Sequence, residues 1–171
     1  MSGCMVRKAS SLNKRINEKG YCRAKRTNAM VKINPAALKL TMTGTHPAQA
    51  YGHQAQGASM TQMFGMKRNI KNTTPFAGTR ACSTTVLAWK FGPTADPFVR
   101  CPVEQIDAWF QTWTAATSDD RHDARFTWQR HLTTYLTTGK YLVSMGPVAG
   151  TIHGVLRIGW RLARPGLWQV E

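Results

Sequence analysis

Apolar residues recur at helical spacing along most of this chain. Met5, Ala9, Leu12 and Ile16 stand at i, i+4, i+7 and i+11, which predicts a helix over residues 4–32. Gly20 is its weak point, at a cost of about 1 kcal/mol relative to Ala. Asn34-Pro35 breaks the pattern, because the residue before a proline avoids the helical region. Pro35 can then open a helix over residues 36–40, and residues 41–45 read as a polar connection. Residues 48–53 read as a short extended segment, followed by a turn flanked by Gly52 and Gly57. Ser59, with Gln62 three positions on, has the form of a capping box and starts the next helix. Met60, Met63, Phe64 and Ile70 form one side of that helix and Lys67, Arg68 and Lys71 cluster on another. Thr74-Pro75 ends it.

The second half continues in helices. Residues 82–91 are apolar enough for a helix or a buried strand, and the polar start Ser83-Thr84-Thr85 favours helix. Pro102 suits the first position of a helix over residues 103–114, with Val103, Ile106, Phe110 and Trp113 as its stripe and Trp109 beside it. Ser118 caps a further helix that carries Asp119 and Asp120 in its first turn, buries Trp128, Leu132, Tyr135 and Leu136, and stops at Gly139. A last helix opens at Gly146-Pro147 with Val148, Ile152, Val155 and Leu156 inward. Gly146, Gly150 and Gly154 fall along one side of it, which predicts close contact with another backbone. Residues 162–171 close the chain as a strand. The expected fold class is therefore mainly α: a small helical domain of about five to six helices, a short extended segment and a basic N-terminal helix or arm. The expected division is 1–33 as that arm and 34–171 as the helical domain, with a basic connection at 34–95 and a neutral support at 96–171.

Charge sharpens this picture. The chain of 171 residues has a formal charge of +15. Residues 1–95 hold 15 Lys and Arg against one acid, Glu18, whereas residues 96–171 hold 8 against 7. So lopsided a distribution points to an anionic partner, and nucleic acid is the usual one. Arg7, Lys8, Lys14, Arg15, Lys19, Arg23, Lys25 and Arg26 decorate the first helix, and Lys67, Arg68 and Lys71 add a second basic face. These eleven are the candidate nucleic-acid-binding residues, acting through phosphates of RNA, DNA or an RNA–DNA hybrid. Contacts of that kind position the nucleic acid without reading its sequence. Neutralising about five phosphates gives a salt slope of about −4 to −5 on B-DNA.

No reaction is signalled. The acids of the second half, Asp96, Glu104, Asp107, Asp119, Asp120 and Asp123, mostly sit where helix starts favour negative charge. No His-x-x-x-His pair and no Gly-x-x-x-x-Gly-Lys-Ser/Thr loop occurs. Cys4, Cys22, Cys82 and Cys101 lack zinc-site spacing and are expected as reduced thiols. No catalytic residue, metal ligand or cofactor is expected, and no run of apolar residues is long enough to span a membrane. The expected location is inside the cell, in nucleus or cytoplasm. The basic, acid-poor first thirty residues give mitochondrial targeting as a lesser reading.

The order of blocks carries a family resemblance. A basic helix is followed by Tyr51, Gly52 and Gly57, by Lys67-Arg68, by Asp96, Pro97 and Val99, by Trp109, by Gly146, Pro147 and Ala149, and by Gly159, Trp160 and Trp168. This resembles the segment that follows the polymerase core in non-LTR (LINE-type) retrotransposon polyproteins of algal protists. The resemblance implies a thumb or connection region between a reverse transcriptase domain, an expected neighbour, and a ribonuclease H domain. The polymerase Tyr/Phe-x-Asp-Asp signature and the ribonuclease H acids are missing here, so the segment is expected to bind template–primer or element RNA without catalysis. The alternative is a basic structural subunit of a ribonucleoprotein, such as an organellar ribosomal protein.

Overall fold

The computed structural model describes residues 3–138 and 146–170, leaving out the side chains of residues 3–14, 163, 169 and 170. The protein is mainly α. Its helices are α1 (Gly3–Ile33), α2 (His46–Ala50), α3 (His53–Gln56), α4 (Met60–Asn72), α5 (Ser83–Phe91), α6 (Pro97–Ala115), α7 (Ser118–Thr138) and α8 (Pro147–Arg157). Strands β1 (Trp160–Arg164) and β2 (Leu167–Val170) form a closing antiparallel hairpin. The chain divides into two compact units. One is Met1–Tyr51 with Met60–Phe98, and the other is Gly52–Ser59 with Val99–Glu171.

In the first unit, α1 packs against α2 and α4, so it is part of a folded body. Ala24 and Thr27 are its buried positions beside Gly20. Gly20 is a contact point and not a weakness: a Cβ there would overlap the side chain of Gln49 on α2. Asn34 ends α1 and accepts from the Ala36 amide at 3.0 Å, starting a 3₁₀ turn over Pro35–Leu38. The expected polar connection is instead a π-helical turn, Thr41–Thr45. Its buried threonines tie neighbouring elements: Thr41 donates to Thr73 at 2.8 Å, and Thr45 bonds Thr27 at 3.2 Å. The expected extended segment is also helical, as α2, followed by Gly52 in the left-handed region with φ of 79°.

α4 begins directly after Ser59, as its capping pattern predicts, but its inner face is turned. Met63, Met66, Asn69 and Ile70 are buried, while Met60 and Phe64 are exposed. Residues 83–91 form a helix, α5, that buries Val86 and Leu87.

α6 starts at Pro97, at the end of the first unit and earlier than Pro102 suggests, and Pro102 lies inside it. Proline suits a first helical position at either site. The true start is marked by Asp96, whose carboxylate accepts from the Phe98 amide at 3.0 Å. The buried face of α6 is Cys101, Gln105, Ile106 and Trp109, whereas Val103 and Phe110 are exposed. α7 is capped by Thr117 and not by Ser118: the Asp120 amide donates to the Thr117 hydroxyl oxygen at 3.2 Å and the Thr117 amide to the Asp120 carboxylate at 3.2 Å. On α7 Trp128 is buried, Leu132 and Tyr135 are half-buried and Leu136 is exposed. The stop expected at Gly139 lies outside the described residues.

α8 is buried on all sides from Val148 to Val155, where a single inner face was expected, and Leu156 is half-buried. Ile152 and Val155 are fully buried and Val148 joins a core with Trp109 and Trp128. Gly150 makes the predicted close approach, since a Cβ there would overlap Gln105 and come within 3.0 Å of the Gly57 amide nitrogen. Trp168 of β2 stacks on Trp128 with centroids 6.4 Å apart, and the Trp109 indole N–H donates to the Pro165 carbonyl at 2.7 Å. The final segment is thus two strands and not one, with Trp160 opposite Val170, Leu162 opposite Trp168 and a shift of register between Leu162 and Arg164.

Candidate nucleic-acid interface

The first unit contains 15 Lys and Arg and only two acids, Glu18 and Asp96. α1 orders many of these cations. A helix turns 100° per residue, so Arg15, Lys19 and Arg26 fall within about 40° of one another. Gly20, Ala24 and Thr27 occupy the side that packs inward. Arg15, Lys19, Arg23, Lys25, Arg26 and Lys32 are all exposed. Arg23 donates to the Gly44 carbonyl at 3.4 Å, and Lys25 lies 4.9 Å from the Tyr21 ring centroid. Among the described residues none of these six pairs with a carboxylate. The backbone carries Arg7, Lys8 and Lys14 on the same helix, and their side chains lie outside the described residues.

The second predicted basic face is taken apart. Lys67 is mostly buried; its ammonium donates to Asp96 at 2.5 Å and to the Thr84 hydroxyl at 2.6 Å. Lys71 donates to the carbonyls of Thr79 and Ala81 at 2.7 and 2.8 Å and so braces the loop between α4 and α5. Both ammonium groups are engaged in the fold. Arg68 alone of the three is exposed. The signal in the sequence was Asp96, the first acid after Glu18, which had to find a cation in a region crowded with them.

Sequence reasoning also passed over Lys32, Lys39, Arg80 and the pair Trp89-Lys90. Trp89 is 69% exposed on α5. The Lys90 ammonium lies 4.1 Å from its ring centroid and Phe76 packs beside it at 5.6 Å. Trp89 lies opposite Leu87 but three residues from Val86, on a neighbouring side of the helix, so the spacing in α5 gave no clear sign of its exposure. At the C-terminal end of α1, Met30, Ile33, Ala37, Lys39 and Leu40 line an open, mostly apolar groove of about 470 Å³.

The polar groups of the second unit serve the fold. Glu104 accepts from Arg100 at 2.5 Å and lies 3.1 Å from the His53 imidazole. Asp120 is held below the usual carboxylate range by the Thr117 hydroxyl and amide that it caps. His153, packed edge-on against Tyr135, is pushed down to about 4 by burial and by the nearby Arg157 and His131. Burial, with Arg130 adjoining, lowers His131 as well. Among the described residues no group of three or more His, Cys, Asp or Glu is placed to hold a metal ion. No described helix is long and apolar enough to cross a membrane.

The residues that carry the retroelement resemblance occupy structural positions. Gly52, Gly57, Gly146 and Gly159 have positive φ at element ends, Asp96 holds Lys67 and caps α6, and Trp109 and Trp168 lie in or against the core of the second unit. The molecule is therefore a mainly helical protein with one strongly cationic unit. Comparison with protein-family models, with curated proteins and with solved structures finds no match to the chain.

Proposed function

We propose that this chain is a non-catalytic nucleic-acid-binding module that grips phosphates with the outward side of α1, as a segment of a retroelement reverse transcriptase polyprotein. The observation that carries the binding reading is the row of exposed cations from Arg15 to Lys32 on a unit with only two acids, one of them, Asp96, neutralised by Lys67. Cations with no acidic partner repel one another, and a polyanion relieves that repulsion while releasing its own counterions. The order of blocks from Tyr51 to Trp168 supports placing the module beside a polymerase domain. RNA, DNA and a hybrid share the phosphate chemistry on which this grip depends.

Fluorescence anisotropy of a labelled 20-nucleotide strand and of the matching duplex, titrated between 50 and 200 mM KCl, tests the proposal. Each phosphate contact contributes about −0.9 to the logarithmic salt slope on duplex and about −0.7 on single strands. Replacing Arg15, Lys19, Lys25 and Arg26 together by Gln should flatten the slope by about 3 and weaken binding to unrelated sequences alike. A slope unchanged by the four substitutions overturns the assignment to α1.

A further inference from the structure

We infer that Trp89 is a stacking platform for an unpaired base, so that the module takes single-stranded nucleic acid in preference to duplex. The inference rests on the phosphate-binding reading and adds to it a contact that a paired base cannot make. Trp89 is 69% exposed although α5 has a buried face available at Val86 and Leu87. The indole is not loose on the surface. Phe76 flanks it with ring centroids 5.6 Å apart and a 52° tilt, and the Lys90 ammonium lies 4.1 Å from the indole centroid and 6.0 Å from that of Phe76. The Phe76 loop is braced in turn by Lys71, which holds the Thr79 and Ala81 carbonyls. An aromatic surface fixed in this way presents a planar face without having to order a mobile side chain on binding.

The charge around it selects the occupant. Lys90 sits on the aromatic pair itself, and exposed Arg80 lies on the same loop as Phe76. No acid occurs between Glu18 and Asp96, and Asp96 is bound to Lys67. A ligand with a flat π face and adjoining negative charge complements this surface, and a nucleotide in a single strand has both. Every base has such a face, so the contact tolerates any sequence. In a duplex the same face is covered by the neighbouring base pairs.

The test uses the full chain and three labelled 20-mers with equal charge per strand: oligo(dT), an abasic strand of the same length, and a duplex. Oligo(dT) should bind about tenfold more tightly than the abasic strand at one salt concentration, the gain expected of one stacked base. Trp89→Ala should close that gap while leaving abasic binding and its salt slope unchanged, and Trp89→Phe should restore most of it. Far-UV circular dichroism checks that both variants are folded. Equal affinity of the full chain for oligo(dT) and the abasic strand, or a gap that persists in Trp89→Ala, overturns the inference and leaves the phosphate grip standing. Failure to bind any of the three strands at low salt overturns the phosphate reading itself.

Discussion

Lys67 and Asp96 meet at 2.5 Å across 29 residues of sequence, both largely withdrawn from water. The pair joins the middle of α4 to the cap of α6, and the Phe98 ring lies 5.2 Å from the same ammonium. In the most basic part of the chain, this cation belongs to the fold.

Removing one partner of such a pair strands the other's charge where water reaches it poorly. Asp96→Asn should therefore lower the unfolding free energy by about 3 kcal/mol, measured by urea denaturation. Lys67→Met should cost a similar amount, because it strands the Asp96 carboxylate in turn. Neither substitution should change nucleic-acid affinity once values are corrected for the folded fraction. A loss of affinity at full stability would return Lys67 to the interface.

What could be read from the chain divides along a physical line. Long elements were legible as helices, though not always in the side they bury: α1 runs through its basic stretch, whereas α4 exposes Met60 and Phe64 and α6 exposes Val103 and Phe110. α2 and α3, of five and four residues, are too short to repeat a 3.6-residue period, and Gly52 and Gly57 gave the look of an extended segment and a turn. The charge asymmetry was equally plain. Which cations stay in solvent was not, because that depends on partners such as Asp96 and the Thr79 carbonyl, brought close only by folding.

Cys82 stands exposed at the N-cap of α5, where the Thr85 amide and hydroxyl and the Thr84 amide lower its thiol from 9.0 to about 7. Alkylation by iodoacetamide should follow the thiolate fraction, with half its maximal rate near pH 7, and Cys82→Ser should remove that component. Thr85→Ala should shift the midpoint upward, because it deletes one of the contacts that stabilise the anion. A midpoint that does not move would separate the thiol from the helix cap.

His153 gives the second unit a defined acid sensitivity. The unfolded imidazole takes up a proton near 6.5, whereas the buried one, beside Arg157 and His131, does so only near 4. Between those values the unfolded chain holds more protons, so acid favours unfolding. The contribution is complete above pH 6.5 and is lost as pH falls toward 4. His153→Gln should flatten the stability profile between pH 6.5 and 5, above the range where carboxylates dominate. Equal slopes for the two proteins in urea melts over that interval would exclude His153 as the source.

Two helical glycines should respond in opposite ways to the same substitution. A Cβ at Gly65 in α4 meets nothing within 4 Å, whereas one at Gly20 in α1 runs into the Gln49 side chain. Gly65→Ala should stabilise the protein by about 1 kcal/mol, the difference in helix propensity. Gly20→Ala gains the same propensity but must displace a buried side chain in a close-packed contact, at a cost of about 1 to 3 kcal/mol. The net effect should be destabilising. Shortening the obstruction in Gly20→Ala/Gln49→Ala should recover much of the loss, because the added methyl then enters the space that Gln49 vacates. Thermal melts of the four proteins decide the matter: if Gly20→Ala melts higher than the parent, the approach of α1 to α2 is looser than the Gln49 contact requires.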